Sequence, residues 1–380
     1  MEDEKIEGYL NPKLDFFFTP ITMHCFFRFT YEKKNSEAVN PETYFEEFFL
    51  NGLVPTRQAF EQRLLKETDY AYPGKHINTL VQGENKYETY LIENVTEADI
   101  NHYNKNIQVF LKFFIETGSY IDDEDPAWKL LLLIERRHDK VAQREVRTFV
   151  GFVSYYPFYR EFDAYRLRIS QQVILPCFQR KGLGSHLLHQ IYQHYSSQPN
   201  CYEITVEAPS EGFQLMKDGL DLKILLQREE FSHIVRRIGI NPVTDKKEVF
   251  DYSRSITKQA YESLNKDTKI RKAQISRVFD LILLLSIDQE NEAVMGAYQS
   301  YLRKKVEQIS GQQLFSQVKE KYIEVDGVVE KINYGQFTQN SQLIQNKFDE
   351  IFKFTVEQYQ RVLKAYKRTT NEAQAANGAH

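Results

Sequence analysis

The chain has 380 residues, of which 42% are hydrophobic and 14% aromatic, enough to fill the cores of two or three domains. Its 49 basic and 53 acidic residues nearly balance, so composition excludes a generally basic nucleic-acid binder, and a basic partner would need a local acidic patch. The 3 cysteines are irregularly spaced, which excludes a disulfide framework and fits a reducing compartment. A charged amino terminus and the lack of a long apolar run indicate neither a signal peptide nor a membrane span.

Residues 1–85 combine aromatic, β-prone stretches with one helical pattern. The β-prone stretch covers residues 25–31, and the helical pattern covers residues 57–66, just after Thr56. The helix is expected to begin near Pro55 and Thr56. This region is predicted to be a small α/β domain.

Residues 86–245 have the pattern of a mixed sheet. Thr96 is expected to cap the first helix, which should run through Phe114. A strand, helix, hairpin, strand, helix, strand order predicts a sheet with helices on both faces, in the α/β (α+β) class. The predicted strands cover residues 87–92, 128–136, 148–156, 168–175 and 202–206, and the second helix covers residues 185–195.

Residues 246–380 are predicted to form a helical domain without strands. Apolar residues recur at helical spacing in residues 270–287 and 341–366. These helices either close their own bundle, which is the favoured interpretation, or present a docking surface to a partner. The polar tail from Thr369 onward is expected to fray.

The most informative segment is the glycine-containing stretch at residues 179–184, between a predicted strand and a predicted helix. Such a turn presents successive backbone N–H groups and the positive end of a helix dipole to an anion. Gly182 and Gly184 would allow a pyrophosphate to approach the backbone closely, while Arg180 and Lys181 add positive charge. The pattern predicts a phosphate-binding loop, although an ordinary basic loop is an alternative for a motif this short.

This motif resembles the acetyl-coenzyme A signature of the GNAT acetyltransferase superfamily. Three blocks, at residues 113–128, 169–188 and 203–213, more specifically resemble the catalytic subunits of type B histone acetyltransferases. The resemblance spans roughly residues 86–245 and implies a GNAT-type sheet. It also implies acetyl-CoA as cosubstrate and no metal. The main chains of Gln172, Val173 and Ile174 would pair with the pantetheine arm, and the N–H groups of Gln179, Arg180, Lys181, Gly182, Leu183, Gly184 and Ser185 would hold the pyrophosphate.

Acetyl transfer to lysine requires a base, because only the neutral amine attacks a thioester and a free lysine has a pKa of ~10.4. Glu207 ends the last predicted strand and matches the general base of the family; partial burial there would improve it as a base. The alternative is an exposed carboxylate at a strand end. The family usually has an aspartate next, where this chain has Ala208. Glu116 matches a second family glutamate implicated in catalysis, or it anchors the end of its helix.

The predicted substrate side is acidic and aromatic. Asp122 and Asp123 belong to an acidic run that matches the family segment facing the substrate tail, whereas most charge runs are simply solvated surface. Trp128 matches a histone-contacting position, with packing on a strand as the alternative. The remaining candidates are Tyr155 and Tyr156, from the neighbouring family segment, and Glu46 and Glu47, whose alignment is loose.

The sequence therefore predicts acetyl transfer from acetyl-CoA to tail lysines of newly made, free histone four. The resemblance implies a WD-repeat histone-binding propeller as partner, location in cytoplasm and nucleus, and no direct contact with nucleic acid or membrane. Two alternatives stay open. One is a GNAT enzyme for another protein or a small amine, and the other is a weakened histone-binding or acyl-CoA-sensing protein, suggested by Ala208.

Overall fold

A computed structural model describes residues 6–36, 38–67, 70–141, 143–317, 322–325, 328–331 and 342–377, with side chains outside 311–344 and 372–380. The chain divides into two compact units, and the division falls between Ala208 and Pro209. The elements of the first unit are β1 (Tyr9–Leu10), β2 (Lys13–Phe18), β3 (Cys25–Thr30), β4 (Lys33–Lys34), α1 (Pro41–Glu46), α2 (Arg57–Lys66), β5 (Lys75–Gln82), β6 (Asn85–Ile92), α3 (Ala98–Phe114), β7 (Lys129–Asp139), β8 (Arg144–Tyr159), β9 (Tyr165–Ile174), α4 (Leu183–Ser196) and β10 (Cys201–Val206).

The centre of the first unit is a six-stranded sheet in the order β10-β9-β8-β7-β6-β5. Neighbouring strands are antiparallel except for β9 and β10, which are parallel. The mixed sheet with flanking helices is therefore confirmed. The sheet begins at β5, however, ten residues before the boundary expected at residue 85, because β5 and β6 form a hairpin across that point.

Helices pack on both faces of this sheet. The ring of Phe110 in α3 lies 6.0 Å from that of Phe149 in β8, whereas Tyr195 in α4 lies 5.7 Å from Tyr155. Thr96 does not cap α3 as expected: its hydroxyl donates to Asn94, and no side chain caps the helix at Glu97. Thr56 does cap α2, where its hydroxyl accepts from the Ala59 N–H.

The aromatic amino-terminal strands cover α3 and share its core. The ring of Phe18 in β2 lies 4.9 Å from Phe110, and the ring of Phe16 lies 5.4 Å from Phe113. Ile21 and Cys25 belong to the same buried cluster as the strand residues of the central sheet. Residues 1–85 therefore do not build a separate core: their apolar face is buried against the helix on one side of the sheet.

The second unit is mainly helical. Its elements are α5 (Glu211–Leu225), α6 (Ser232–Val235), α7 (Lys246–Ser253), α8 (Lys258–Thr268), α9 (Lys272–Ser286), α10 (Glu292–Gln317), a hairpin of β11 (Tyr322–Val325) and β12 (Val328–Lys331), and α11 (Gln342–Asn377). The expectation of no strands beyond residue 245 was thus wrong. Residues 209–245 group with the helical unit, and the tail expected to fray is helical through Asn377.

Helix α9 forms the buried centre of this unit, and it places a carboxylate in the interior. Asp280 is 1% exposed and accepts two hydrogen bonds from Lys305, at 2.7 and 2.8 Å. The hydroxyls of Tyr301 and Tyr359 donate to the same carboxylate, at 2.8 and 3.2 Å. Burial nevertheless raises the pKa of Asp280, since desolvation outweighs these contacts.

Candidate active site

Strands β9 and β10 separate partway along the sheet. They pair from Tyr165 to Ile169, and the Glu207 N–H adds a last hydrogen bond of 2.9 Å to the Ile169 carbonyl. Strand β9 continues to Ile174 beside β8, while β10 has already ended at Val206. Among the described strands, none pairs with this edge of residues 170–174, and a linear ligand could pair with it.

A β-bulge marks the point where the strands separate. Ser154 pairs with Gln171 and Tyr155 pairs with Ile169, so Ser170 has no partner opposite it. The Leu175 N–H donates to Val150 at 2.9 Å, so strand alternation turns the amides of 171 and 173 toward β8 and those of 172 and 174 outward. Of the three residues predicted to pair with pantetheine, Gln172 and Ile174 thus face the open edge, whereas the main chain of Val173 faces β8.

The predicted phosphate loop follows β9 and leads into α4. Arg180 and Gly182 have positive φ angles of 62° and 78°, and Gly182 caps the helix without a side-chain hydrogen bond. A Cβ on Gly182 would meet no atom within 4 Å, so the need for glycine there is conformational rather than steric. The first N–H groups of α4, from Leu183 to Ser185, lack partners within the helix and suit an anion.

Glutamine side chains brace this loop. Gln172 donates its amide to the Gly184 carbonyl at 2.9 Å, and Gln179 donates to the Ile174 carbonyl at 2.8 Å. The Lys181 ammonium lies 5.1 Å from the centre of the Phe178 ring. The open edge of β9, the turn and the start of α4 thus form a continuous backbone surface, which fits a pantetheine arm followed by a pyrophosphate.

Glu207 lies immediately beyond the end of β10, beside the bulge. The Ser170 hydroxyl donates to its carboxylate at 3.3 Å, and a guanidinium nitrogen of Arg168 lies 4.0 Å away. Its side chain is 54% exposed, so the partial burial expected from the sequence is not found. Glu207 follows Val206, the last residue of β10, and so lies outside the paired part of the sheet. Ala208, which replaces the family's aspartate, adopts a positive φ of 35°.

Glu116 lies in the turn that follows α3, and its side chain is exposed. Gly118 is tightly enclosed in this turn: a Cβ there would come within 2.7 Å of the Leu111 carbonyl. Lys112 donates to the Gly118 carbonyl at 3.0 Å, and Gln171 of β9 donates to the Ser119 carbonyl at 2.8 Å. The turn carrying Glu116 is therefore connected to the strand that contains the bulge.

The acidic run contains side chains with different surroundings. Asp122 is exposed and, among the described residues, accepts a single hydrogen bond, from the Glu124 N–H in the turn. Asp123 is bound to α3, where Lys105 lies 2.9 Å away and Asn101 donates at 3.0 Å. The hydrogen bond from Lys105 lowers the pKa of Asp123. Asp123 thus attaches the loop to the helix, and Asp122 is the free charge of the two.

An aromatic strip lies between the acidic loop and Glu207. Trp128 packs edge-on against Tyr156 at 5.1 Å, and Tyr156 packs against Phe158 at 4.8 Å. The Arg168 guanidinium lies over the Phe158 ring at 4.5 Å. The Tyr156 hydroxyl donates to Asp125 at 2.9 Å, and this hydrogen bond raises the pKa of Tyr156. Trp128 is half-buried, so packing and ligand contact are compatible at this position.

Tyr155 does not have the place expected of a substrate-contacting residue. It is 0% exposed and packs against Tyr195, on the face of the sheet that α4 covers. Successive strand residues point to opposite faces, so Tyr155 and Tyr156 cannot both line one groove. Glu46 and Glu47 are exposed at the end of α1, next to Phe48, whose carbonyl accepts from Tyr120 at 2.6 Å.

The sequence interpretation missed four residues of this surface: Phe158, Arg168, Ser170 and Gln171. Each lies inside or beside a block that was recognised, but strand periodicity alone cannot locate a bulge or a cross-strand contact. Within the described ranges, the structure contains no cluster of histidine, cysteine or carboxylate side chains able to hold a metal ion. None of the described helices is long and apolar enough to cross a membrane.

Comparison with known proteins agrees with this geometry. The model of "Histone acetyl transferase HAT1 N-terminus" matches residues 1–116, and that of the "Acetyltransferase (GNAT) family" matches residues 107–213. An aminoglycoside acetyltransferase from an uncultured soil metagenomic sample is 13% identical, with a TM-score of 0.25, and the match covers 34% of this chain and 83% of that protein.

Curated relatives include the histone acetyltransferase type B catalytic subunit of Cryptococcus neoformans, 26% identical over 80% of this chain and 77% of that protein. The Dictyostelium discoideum relative of the same name is 28% identical over 63% of this chain, which spans about half (51%) of that protein. The GNAT-family match and the similarity to proteins named histone acetyltransferase indicate a protein acetyltransferase. Within that class, the chain is similar to the type B histone acetyltransferase catalytic subunits.

Proposed function

We propose that this enzyme transfers acetyl from acetyl-CoA to lysines in the amino-terminal tail of free histone four, with Glu207 as general base. The observation that carries the proposal is the open edge of β9 beside a carboxylate at the end of β10. An acetyl-CoA molecule paired with this edge would have its thioester carbonyl next to a group that can accept a proton.

The cofactor contacts are proposed for backbone groups. The outward amides of Gln172 and Ile174 would pair with the pantetheine arm, and the N–H groups at the start of α4 would bind the pyrophosphate. Acetyl-CoA supplies an activated acyl group and a thiolate leaving group. Arg180 and Lys181 add positive charge at the rim of the loop.

Glu207 would take a proton from the lysine ammonium, after which the neutral amine can attack. The Ser170 hydroxyl, which donates to this carboxylate, would hold it toward the bulge. Because the side chain is more than half exposed, a substrate amine can reach it from solvent. Glu116 is proposed as a second carboxylate on the peptide side.

The peptide would lie along the aromatic strip of Trp128 and Tyr156. Asp122, and Glu46 and Glu47 at the end of α1, would attract the basic tail, and all three are exposed. Aromatic faces and carboxylates both favour cationic side chains. The proposed substrate surface omits Tyr155, which is buried.

A WD-repeat histone-binding propeller is proposed as partner, and cytoplasm and nucleus as the locations. Both proposals rest on the family resemblance. The same resemblance supports an enzyme that makes no direct contact with nucleic acid or membrane, because a free histone is the substrate.

Radiolabelled acetyl transfer to separate free core histones and to intact nucleosomes would test the proposal. We expect transfer to free histone four and little to nucleosomes. Transfer to other proteins or small amines instead would support the alternative GNAT enzyme, and coenzyme A binding without transfer would support a sensing or binding protein. Either of these results would overturn the proposed function.

A further inference from the structure

The turn and acidic loop after α3, residues 115–125, are attached to their surroundings at several successive positions. The Gly118 carbonyl accepts from Lys112, and the Ile121 N–H donates to Gln108 at 2.7 Å. The Tyr120 hydroxyl donates to the Phe48 carbonyl, and Asp123 binds Lys105 and Asn101. These partners come from α3 or from the segment after α1, so they do not attach the loop to the sheet.

Two side chains connect this segment to the sheet: Tyr156 of β8 at the far end, through Asp125 at 2.9 Å, and Gln171 of β9 close to Glu116. The side-chain amide of Gln171 donates to the Ser119 carbonyl at 2.8 Å, three residues after Glu116. Its neighbour in β9 is Ser170, the bulged residue, whose hydroxyl donates to Glu207. Two consecutive residues of one strand therefore contact the segments that carry the two candidate catalytic glutamates.

The position of Glu116 depends on the backbone of its turn. In the part of the chain that the structure describes, its side chain has no hydrogen-bond or ion-pair partner. The fixed contacts of the turn are then what determine where its carboxylate lies relative to β9. A displacement of about 1 Å at a reacting group can reduce a rate by ~10²-fold, so a single contact of this kind can matter.

We propose that Gln171 is a positioning residue, which holds the Glu116 turn at a set distance from the bulge and from Glu207. This inference rests on the proposed function, because it assumes that Glu116 acts on the peptide side of the reaction. Gln171 itself touches neither reacting group. Its contribution is the hydrogen bond to Ser119.

The test compares Gln171→Leu, Gln171→Glu and Glu116→Gln, alone and combined, in single-turnover acetyl transfer to a histone four tail peptide. Leucine has no donor, and glutamate keeps the shape but cannot donate when ionised. We expect either Gln171 variant to reduce the rate by about 10- to 100-fold, with less than about a twofold change in coenzyme A affinity. When Glu116→Gln is added to a Gln171 variant, the rate should fall by less than about a further twofold. Both substitutions remove the same contribution, that of a correctly placed Glu116 carboxylate.

Gln289→Leu is a matched control. Gln289 also donates its amide to a backbone carbonyl, that of Leu284 at 2.9 Å, but it belongs to the second unit. We expect its rate to stay within about twofold of wild type.

Three results would overturn the inference: wild-type rates for both Gln171 variants, multiplicative losses in the double variants, or no effect of Glu116→Gln. Melting curves and coenzyme A binding identify a variant that fails to fold. If one Gln171 variant fails to fold, the other Gln171 variant is used for the test. Wild-type enzyme that transfers acetyl to another substrate but not to histone four would reject the substrate proposal instead. In that case the same single and double variants are measured with the substrate that the enzyme does acetylate.

Discussion

Asp280 in the helical unit and Glu207 in the first unit are carboxylates in opposite environments. Asp280 is buried in the helical unit, where Lys305, Tyr301 and Tyr359 all bond to it. Glu207 is 54% exposed and has a 3.3 Å hydrogen bond from Ser170 and an arginine nitrogen at 4.0 Å. A buried charge requires several partners to offset its desolvation, whereas a base must exchange protons with a substrate. Stability and chemistry should therefore separate in variants of the two residues.

Glu207→Gln should have the largest effect on the reaction. It preserves shape but removes the proton acceptor, so acetyl transfer should fall by roughly 10²- to 10⁴-fold while cofactor and peptide still bind. Higher pH should restore part of the rate because more of the lysine is already neutral. Pre-steady-state transfer at saturating substrates would measure this. Near wild-type rates for this variant, with Glu116→Gln inactive, would assign the base to Glu116.

Asp280→Asn should have the largest effect on stability. It leaves the Lys305 ammonium without its counter-charge inside the unit, which costs about 3–5 kcal/mol for a buried pair. Denaturant unfolding would measure the loss. The exposed pair of Glu262 and Lys272, 3.3 Å apart, offers a control, since Glu262→Gln should cost less than about 1 kcal/mol. Equal losses for the two variants would mean that burial does not decide how much an ion pair stabilises this unit.

The two aspartates of the acidic loop should also differ, one acting through its exposed charge and the other through its structural contacts, with smaller effects. Asp122→Asn should raise the Michaelis constant for a basic tail peptide by about two- to fivefold, and less at high salt, since its charge is exposed. Asp123→Asn should act on the loop through lost contacts with Lys105 and Asn101, so its effect should be largely independent of salt. If the Michaelis constant for the peptide changes with neither Asp122→Asn nor salt, this loop is ordinary solvated surface.

A fourth expected effect concerns the dependence of stability on pH. Burial lowers the pKa of His186 from 6.5 to about 4, and His189 adds to the shift. Between these values the unfolded chain binds the proton and the folded chain does not, so stability is lost as pH falls from 6.5 toward 4. His186→Gln should therefore reduce the drop in melting temperature between pH 7 and pH 4.5. His24, whose pKa is also lowered to about 4, should leave a residual slope, and an unchanged drop would exclude His186 as a cause.

Much of the fold was predictable because it depends on local pattern. Alternation located β7 to β10 within a few residues, and Pro55 and Thr56 indicated where α2 begins. The short hairpin β11–β12 was missed because its strands are only four residues each, inside a region otherwise dominated by helical spacing. The expected division at residue 85 was misplaced because the pairing of β5 with β6 joins both sides of it.

The sequence by itself determined the order of the elements, the glycine turn before α4 and the carboxylate that ends β10, because each depends on neighbouring residues. Only the tertiary structure decided which edge of β9 stays open, that Ser170 is bulged, and that Tyr155 is buried while Tyr156 is not. It also decided that Gln171 reaches the Glu116 turn and that Asp123 binds α3 instead of facing solvent. These features arise from strand register and side-chain contacts between distant parts of the chain, which no local pattern encodes.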